Sequence, residues 1–99
     1  MEILKSPEFN KWYSTLDMNS KTLIDIRLTR ILLDGHFGLT KKVGRVNELK
    51  FKSGLRIYYS LVANDLLLLL LGGGKKNKRS QSQDIKRATQ IYQEFNNGK

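Results

Sequence analysis

Six consecutive leucines, residues 66–71, stand between Asn64-Asp65 and Gly72-Gly73-Gly74. The run is too short for a typical helix, and turn-forming residues bound it on both sides. No polar residue alternates within it, so a strand here has to be buried on both faces. This predicts the central strand of a sheet. The same run falls far short of the ~20 apolar residues needed to span a bilayer.

Periodicity places the other elements. Ser6-Pro7-Glu8 reads as a helix start, with a serine N-cap, proline at the first helical position and an acid in the first turn. Phe9, Trp12, Tyr13 and Leu16 follow as one apolar stripe. A second helix is predicted from about Ser20 to Asp34, with Ile24, Leu28, Ile31 and Leu32 on one face and Gly35 as its stop. Ile26 and Leu33 fall outside that face, either covered by another element or open to a partner. Residues 35–44 read as a loop and residues 2–5 as a short first strand. A last helix is expected to start near residues 80–82, with Ile85, Ala88, Tyr92 and Phe95 on one face.

Between these helices the period is two. Leu49 and Phe51 alternate with Glu48, Lys50 and Lys52, and Leu55, Ile57 and Tyr59 alternate with Arg56, Tyr58 and Ser60. A two-residue turn would pair Phe51 with Arg56 and mix the faces. A three-residue turn over residues 52–54, with Gly54 left-handed, pairs Leu49 with Ile57 and Lys50 with Arg56. Every apolar side chain then shares one face, so burial enforces that register. Lys50, Arg56 and Tyr58 are predicted together on the other face.

The expected order is strand, helix, helix, three strands, helix over one domain, residues 1–99. This is an α+β fold with a small antiparallel sheet, two N-terminal helices and one C-terminal helix. At 39% apolar residues the chain can build a core despite a mean hydropathy of −0.44. It has no cysteine, so disulfides and thiolate metal sites are excluded. One histidine, His36, and nine scattered acids leave little for zinc or calcium, and no metal or small-molecule cofactor is expected. The first residues lack the basic-then-apolar order of a signal peptide, so the expectation is a cytoplasmic protein away from membranes.

Charge gives the first functional pointer. Residues 41–56 carry Lys41, Lys42, Arg45, Lys50, Lys52 and Arg56 against one acid, Glu48. Residues 75–87 carry Lys75, Lys76, Lys78, Arg79, Lys86 and Arg87 against Asp84. The remainder of the chain sums to −1, so these two segments account for the net +9. Such concentration is the electrostatic footprint of a polyanion site, nucleic acid first. The glycines before Lys75 lack the GxxxxGK[ST] spacing of a phosphate loop, and a loop over residues 72–81 offering lysines to a nucleic-acid backbone fits better. Tyr58 on the basic face is a candidate for stacking on a base.

Paired carboxylates for metal-dependent nuclease chemistry are missing. RNA allows another route, because its own 2′-hydroxyl can attack the adjacent phosphate. That route needs a proton acceptor, a proton donor and cations on the crowded phosphate. Arginine suits the last role, since its fork is always charged and grips two phosphate oxygens. A lysine crowded by cations gives up its proton more readily, which suits a base. Lys50 beside Arg56 matches this description.

Several segments resemble one family. Residues 9–16 resemble the opening "F..W...L" of the RelE/HigB-type toxins of bacterial toxin–antitoxin modules, in their small addiction-module killer protein branch. "RLTRILLDGHFG" at residues 27–38, "VNELKF" at 46–51 and "GLRIYY" at 54–59 are similar to further segments of that branch. So is the stretch from Leu69 to Ile85, which keeps Lys78, Gln81 and Asp84 at the family's separations. The resemblance implies an endoribonuclease that cleaves ribosome-associated mRNA and is silenced by a cognate antitoxin protein. It implies Arg56 at the scissile phosphate, with Lys50 and Lys52 as basic residues of the preceding strand and Lys78 as the loop lysine. Lys75, Lys76, Arg79 and Gln81 would join Lys52 and Tyr58 in binding RNA. The segment 72–77 is longer than the family's glycine pair, so Lys75 or Lys76 could stand where Lys78 is expected. The same residues also fit a non-catalytic basic nucleic-acid-binding module, or one that docks an acidic partner.

Overall fold

The computed structural model describes residues 2–63, 66–74 and 78–97. Strand β1 (Glu2–Lys5) leads into α1 (Pro7–Ser14) and α2 (Met18–Asp34). Strands β2 (Thr40–Val43), β3 (Val46–Lys50), β4 (Arg56–Ala63) and β5 (Leu66–Gly73) follow, and α3 (Lys78–Asn97) closes the order. The five strands form one sheet in the order β1-β5-β4-β3-β2.

Local chemistry sets the helix ends. The Ser6 hydroxyl accepts the Phe9 amide at 2.9 Å and donates to the Leu70 carbonyl at 2.6 Å, which caps α1 and ties it to β5. Asp17 caps α2 through the Ser20 amide at 2.9 Å, and the capping bond holds its carboxyl below the usual range. Gly35 ends α2 in the left-handed conformation at φ 66°, its amide bound to the Ile31 carbonyl.

β5 is an interior strand between β1 and β4, the middle strand being β4, and it is buried as its leucines require, because helices cover both faces of the sheet. On one face Phe9, Ile24, Leu28 and Ile31 of α1 and α2 pack on Leu49, Ile57, Tyr59, Leu67 and Leu69. On the other, Ala88 and Ile91 of α3 pack on Val46, Tyr58, Leu68 and Leu70. A register shift between Tyr58 and Tyr59 inserts Leu70 as an extra residue of β5, which brings Leu71 to the α3 side as well.

The expected α+β architecture is present, with differences of detail. β1 runs parallel to β5, so the sheet is mixed, while the other pairings are antiparallel. Residues 40–43, expected within a loop, form β2 and pair with β3 through a two-residue turn at Gly44 (φ 69°) and Arg45. Lys41 and Lys42 hide this strand from periodicity, yet exposed lysines are how a sheet edge is kept from pairing with another chain. Gly72 and Gly73 belong to β5, and α3 starts at Lys78, so both ends of the expected loop over 72–81 lie in regular elements, while residues 75–77 lie outside the described residues. The physical reason is close packing. A Cβ on Gly72 would collide with the Trp12 indole, and one on Gly73 would lie 2.6 Å from Asp84 Oδ2.

Candidate functional site

The β3–β4 hairpin adopts the register that burial demands. Leu49 faces Ile57 and Lys50 faces Arg56, while the Phe51 amide donates to the Leu55 carbonyl at 3.0 Å. The turn over residues 52–54 closes with Gly54 at φ 99°. Lys50 and Arg56 therefore stand side by side on the face turned toward α3. Leu39, Lys50, Phe51, Gly54, Leu55 and Arg56 line a cleft of about 240 Å³ at this end of the hairpin.

Beneath the two cations lies a residue whose part sequence reasoning missed. Glu48 shares their face and is fully buried. Its Oε2 accepts from Arg56 Nη1 at 3.1 Å and from Gln81 Nε2 at 3.2 Å. The Arg56 side chain keeps 24% of its surface exposed, so it runs from the buried carboxylate out to solvent. Glu48 thus joins β3, β4 and the start of α3. The signal available in the sequence was its position as the one acid among six cations of residues 41–56.

Tyr58 is corrected by the same helix. Alternation assigns it to the basic face, but α3 covers that part of the face and leaves the ring with no exposed surface. A buried ring offers no platform for stacking a base. Burial, and after it the negative charges of Glu48 and Asp84, push the Tyr58 phenol up to about 12. Among the described residues, neither the Tyr58 hydroxyl nor Glu48 Oε1 has a hydrogen-bond partner.

Arg27 of α2 is the second residue whose part was missed. Its guanidinium donates to the carbonyls of Phe37 at 2.6 Å, Leu39 at 2.8 Å and Lys50 at 2.9 Å, and it lies 4.7 Å from the Phe51 ring centre. Partial burial lowers its pKa from the ordinary arginine value. Since the Lys50 amide also binds the Leu39 carbonyl at 2.9 Å, the backbone of Lys50 is fixed from both sides. A carbonyl clamp of this kind leaves no periodic trace in a sequence.

Of the other expected site residues, Lys52, Arg79 and Gln81 are described with their side chains. Lys52 is exposed in the hairpin turn, and Arg79 is exposed in the first turn of α3. Gln81 is half-buried, its amide committed to Glu48. Lys78 opens α3, but its side chain lies outside the described residues, as do Lys75 and Lys76 entirely. His36 is exposed in the turn after α2. Tyr92 packs against the α3 cluster, eleven residues beyond Gln81 and so about 16 Å along the helix axis.

No protein-family model matches the sequence. No curated protein matches it either. Solved structures do. The isolated E. coli RelE toxin superposes with a TM-score of 0.63 at 16% identity, over 86% of this chain and 95% of that one. RelE in the intact E. coli RelBE toxin–antitoxin complex gives 0.64 at 15% identity, over 76% and 96%. The fold is that of the RelE toxin. A double-arginine mutant of E. coli RelE in the free state agrees, with a TM-score of 0.65 at 16% identity over 86% and 94%. At such identities the likeness to RelE carries the fold, and the side chains must be argued from this chain itself.

Proposed function

We propose that this RelE-like chain is the toxin of a type II toxin–antitoxin system, an endoribonuclease that cleaves ribosome-associated mRNA and so stops translation in the cytoplasm. The observation carrying the proposal is Lys50 paired with Arg56 on a RelE-like sheet, at a cleft within the cationic segment of residues 41–56. In this reading the 2′-hydroxyl of RNA attacks the neighbouring phosphorus and the bond to the 5′-oxygen breaks. Lys50 takes the hydroxyl proton, the Arg56 guanidinium holds the non-bridging oxygens as their charge grows, and the products are a 2′,3′-cyclic phosphate and a 5′-hydroxyl whose oxygen takes its proton from solvent water. Lys78 is the second phosphate clamp. Lys52, Lys75, Lys76 and Arg79 hold the flanking backbone, and the chemistry draws on protein cations without a metal.

A protein partner belongs to this proposal. The RelE of the intact complex is bound to its antitoxin, and a cognate antitoxin with a net acidic segment suits the charge of this chain. Ile26 and Leu33 of α2, 49% and 77% exposed, supply an apolar surface for it.

The test is induction of the wild-type chain and of Arg56→Ala in a bacterial host. The expected outcome is growth arrest by the wild type and none by the variant, with equal amounts of folded protein. Loss of the arginine is expected to lower cleavage about a hundredfold or more, as for other groups that stabilise transition-state charge. A fully toxic Arg56→Ala would remove this arginine from the mechanism.

A further inference from the structure

Glu48 is a fully buried carboxylate in the most cationic strand pair of the molecule, and charge balance alone argues against it. Neutralising it would raise the attraction of the patch for RNA. Nor is stability an adequate explanation, because a buried ion pair recovers its desolvation cost only when every acceptor is satisfied. Here Oε2 takes both hydrogen bonds and Oε1 takes none among the described residues. What the carboxylate does supply is geometry. A single oxygen receives Arg56 Nη1 from β4 and Gln81 Nε2 from α3, two groups 25 positions apart in the chain.

We infer that Glu48 is a positioning residue, acting through Arg56: it fixes the guanidinium at the scissile phosphate and anchors the start of α3 beside it. This inference rests on the ribonuclease reading and deepens it. The carboxylate holds Nη1 from below, so the fork presents itself to the phosphate in one orientation instead of many. Gln81, expected in the sequence as an RNA contact, is assigned the role of a strut between α3 and Glu48. The cations at the beginning of α3 then stand in a set relation to Arg56.

The experiment compares wild type, Glu48→Gln and Glu48→Asp. Glutamine keeps the shape and removes the charge. Aspartate keeps the charge and withdraws the carboxylate by one methylene. Two readouts are taken, RNA cleavage with kcat and KM separated, and the Arg56 side-chain Nε–H signal in a ¹⁵N spectrum, assigned by its loss in Arg56→Ala. Positioning predicts that both variants lose kcat about tenfold or more with KM unchanged or lower. It also predicts that the Arg56 signal moves or broadens in both, while thermal unfolding stays cooperative. If Glu48→Gln does not fold, Glu48→Asp carries the test alone. Unchanged kcat and an unchanged Arg56 signal in the folded variants would overturn the inference while leaving the nuclease reading intact. A wild type that cleaves nothing, with the Arg56 signal still dependent on Glu48, would overturn the nuclease reading and leave Arg56 positioned by Glu48.

Discussion

Tyr58 shows how one covered side chain changes what a cationic strand can do. Its phenol holds its proton to about 12 in the folded chain, against 10.0 for an ordinary tyrosine. The raised value means that stability from this group is fully present below pH 10 and is lost as pH rises toward 12. Tyr58→Phe is expected to flatten that alkaline limb in denaturant midpoints measured across this range. An unchanged limb would contradict the burial. The pairing of Lys50 with Arg56 was legible in the sequence because one register alone puts every apolar residue of the hairpin on one face. Burial of Glu48 and Tyr58 was not, since alternation names a face and cannot say which distant element lies over it. The Arg27 clamp was equally hidden, because its partners are backbone carbonyls that any residue would provide.

At the scale of elements, caps and glycines fixed most boundaries. Ser6 with Pro7 marks the start of α1, and Gly35 marks the end of α2, each through a bond that the side chain or the φ angle requires. β2 escaped because an edge strand built from exposed lysines has neither the composition nor the alternation of a buried one. The end of β5 escaped because its glycines look like a loop, whereas two of them are packing surfaces. Gly72 admits the Trp12 indole, which also packs on Phe9 with ring centres 5.7 Å apart. Gly72→Ala is therefore expected to cost about 2 kcal/mol or more through overpacking. Its melting temperature should fall by about 10 °C. Gly74→Ala meets nothing within 4 Å and should change stability by no more than about 0.5 kcal/mol. Equal melting temperatures for the two variants would contradict this packing.

For the whole molecule, helices on both faces of the sheet leave the end of the β3–β4 hairpin as the place where Lys50 and Arg56 open to solvent. The first cationic segment lies on β2, β3 and the start of β4, and the second reaches along the first half of α3. Both therefore border the Glu48–Arg56–Gln81 junction. The α+β architecture was readable from element order alone. The junction was not, because it joins residues 33 positions apart, Glu48 and Gln81, through a fold that must first exist. The most direct test of the account is primer extension on a translated mRNA after brief induction of wild type and Arg56→Ala. The account predicts discrete new 5′ ends within the reading frame for wild type and none for the variant. Growth arrest without new ends, or identical ends from both proteins, would contradict it.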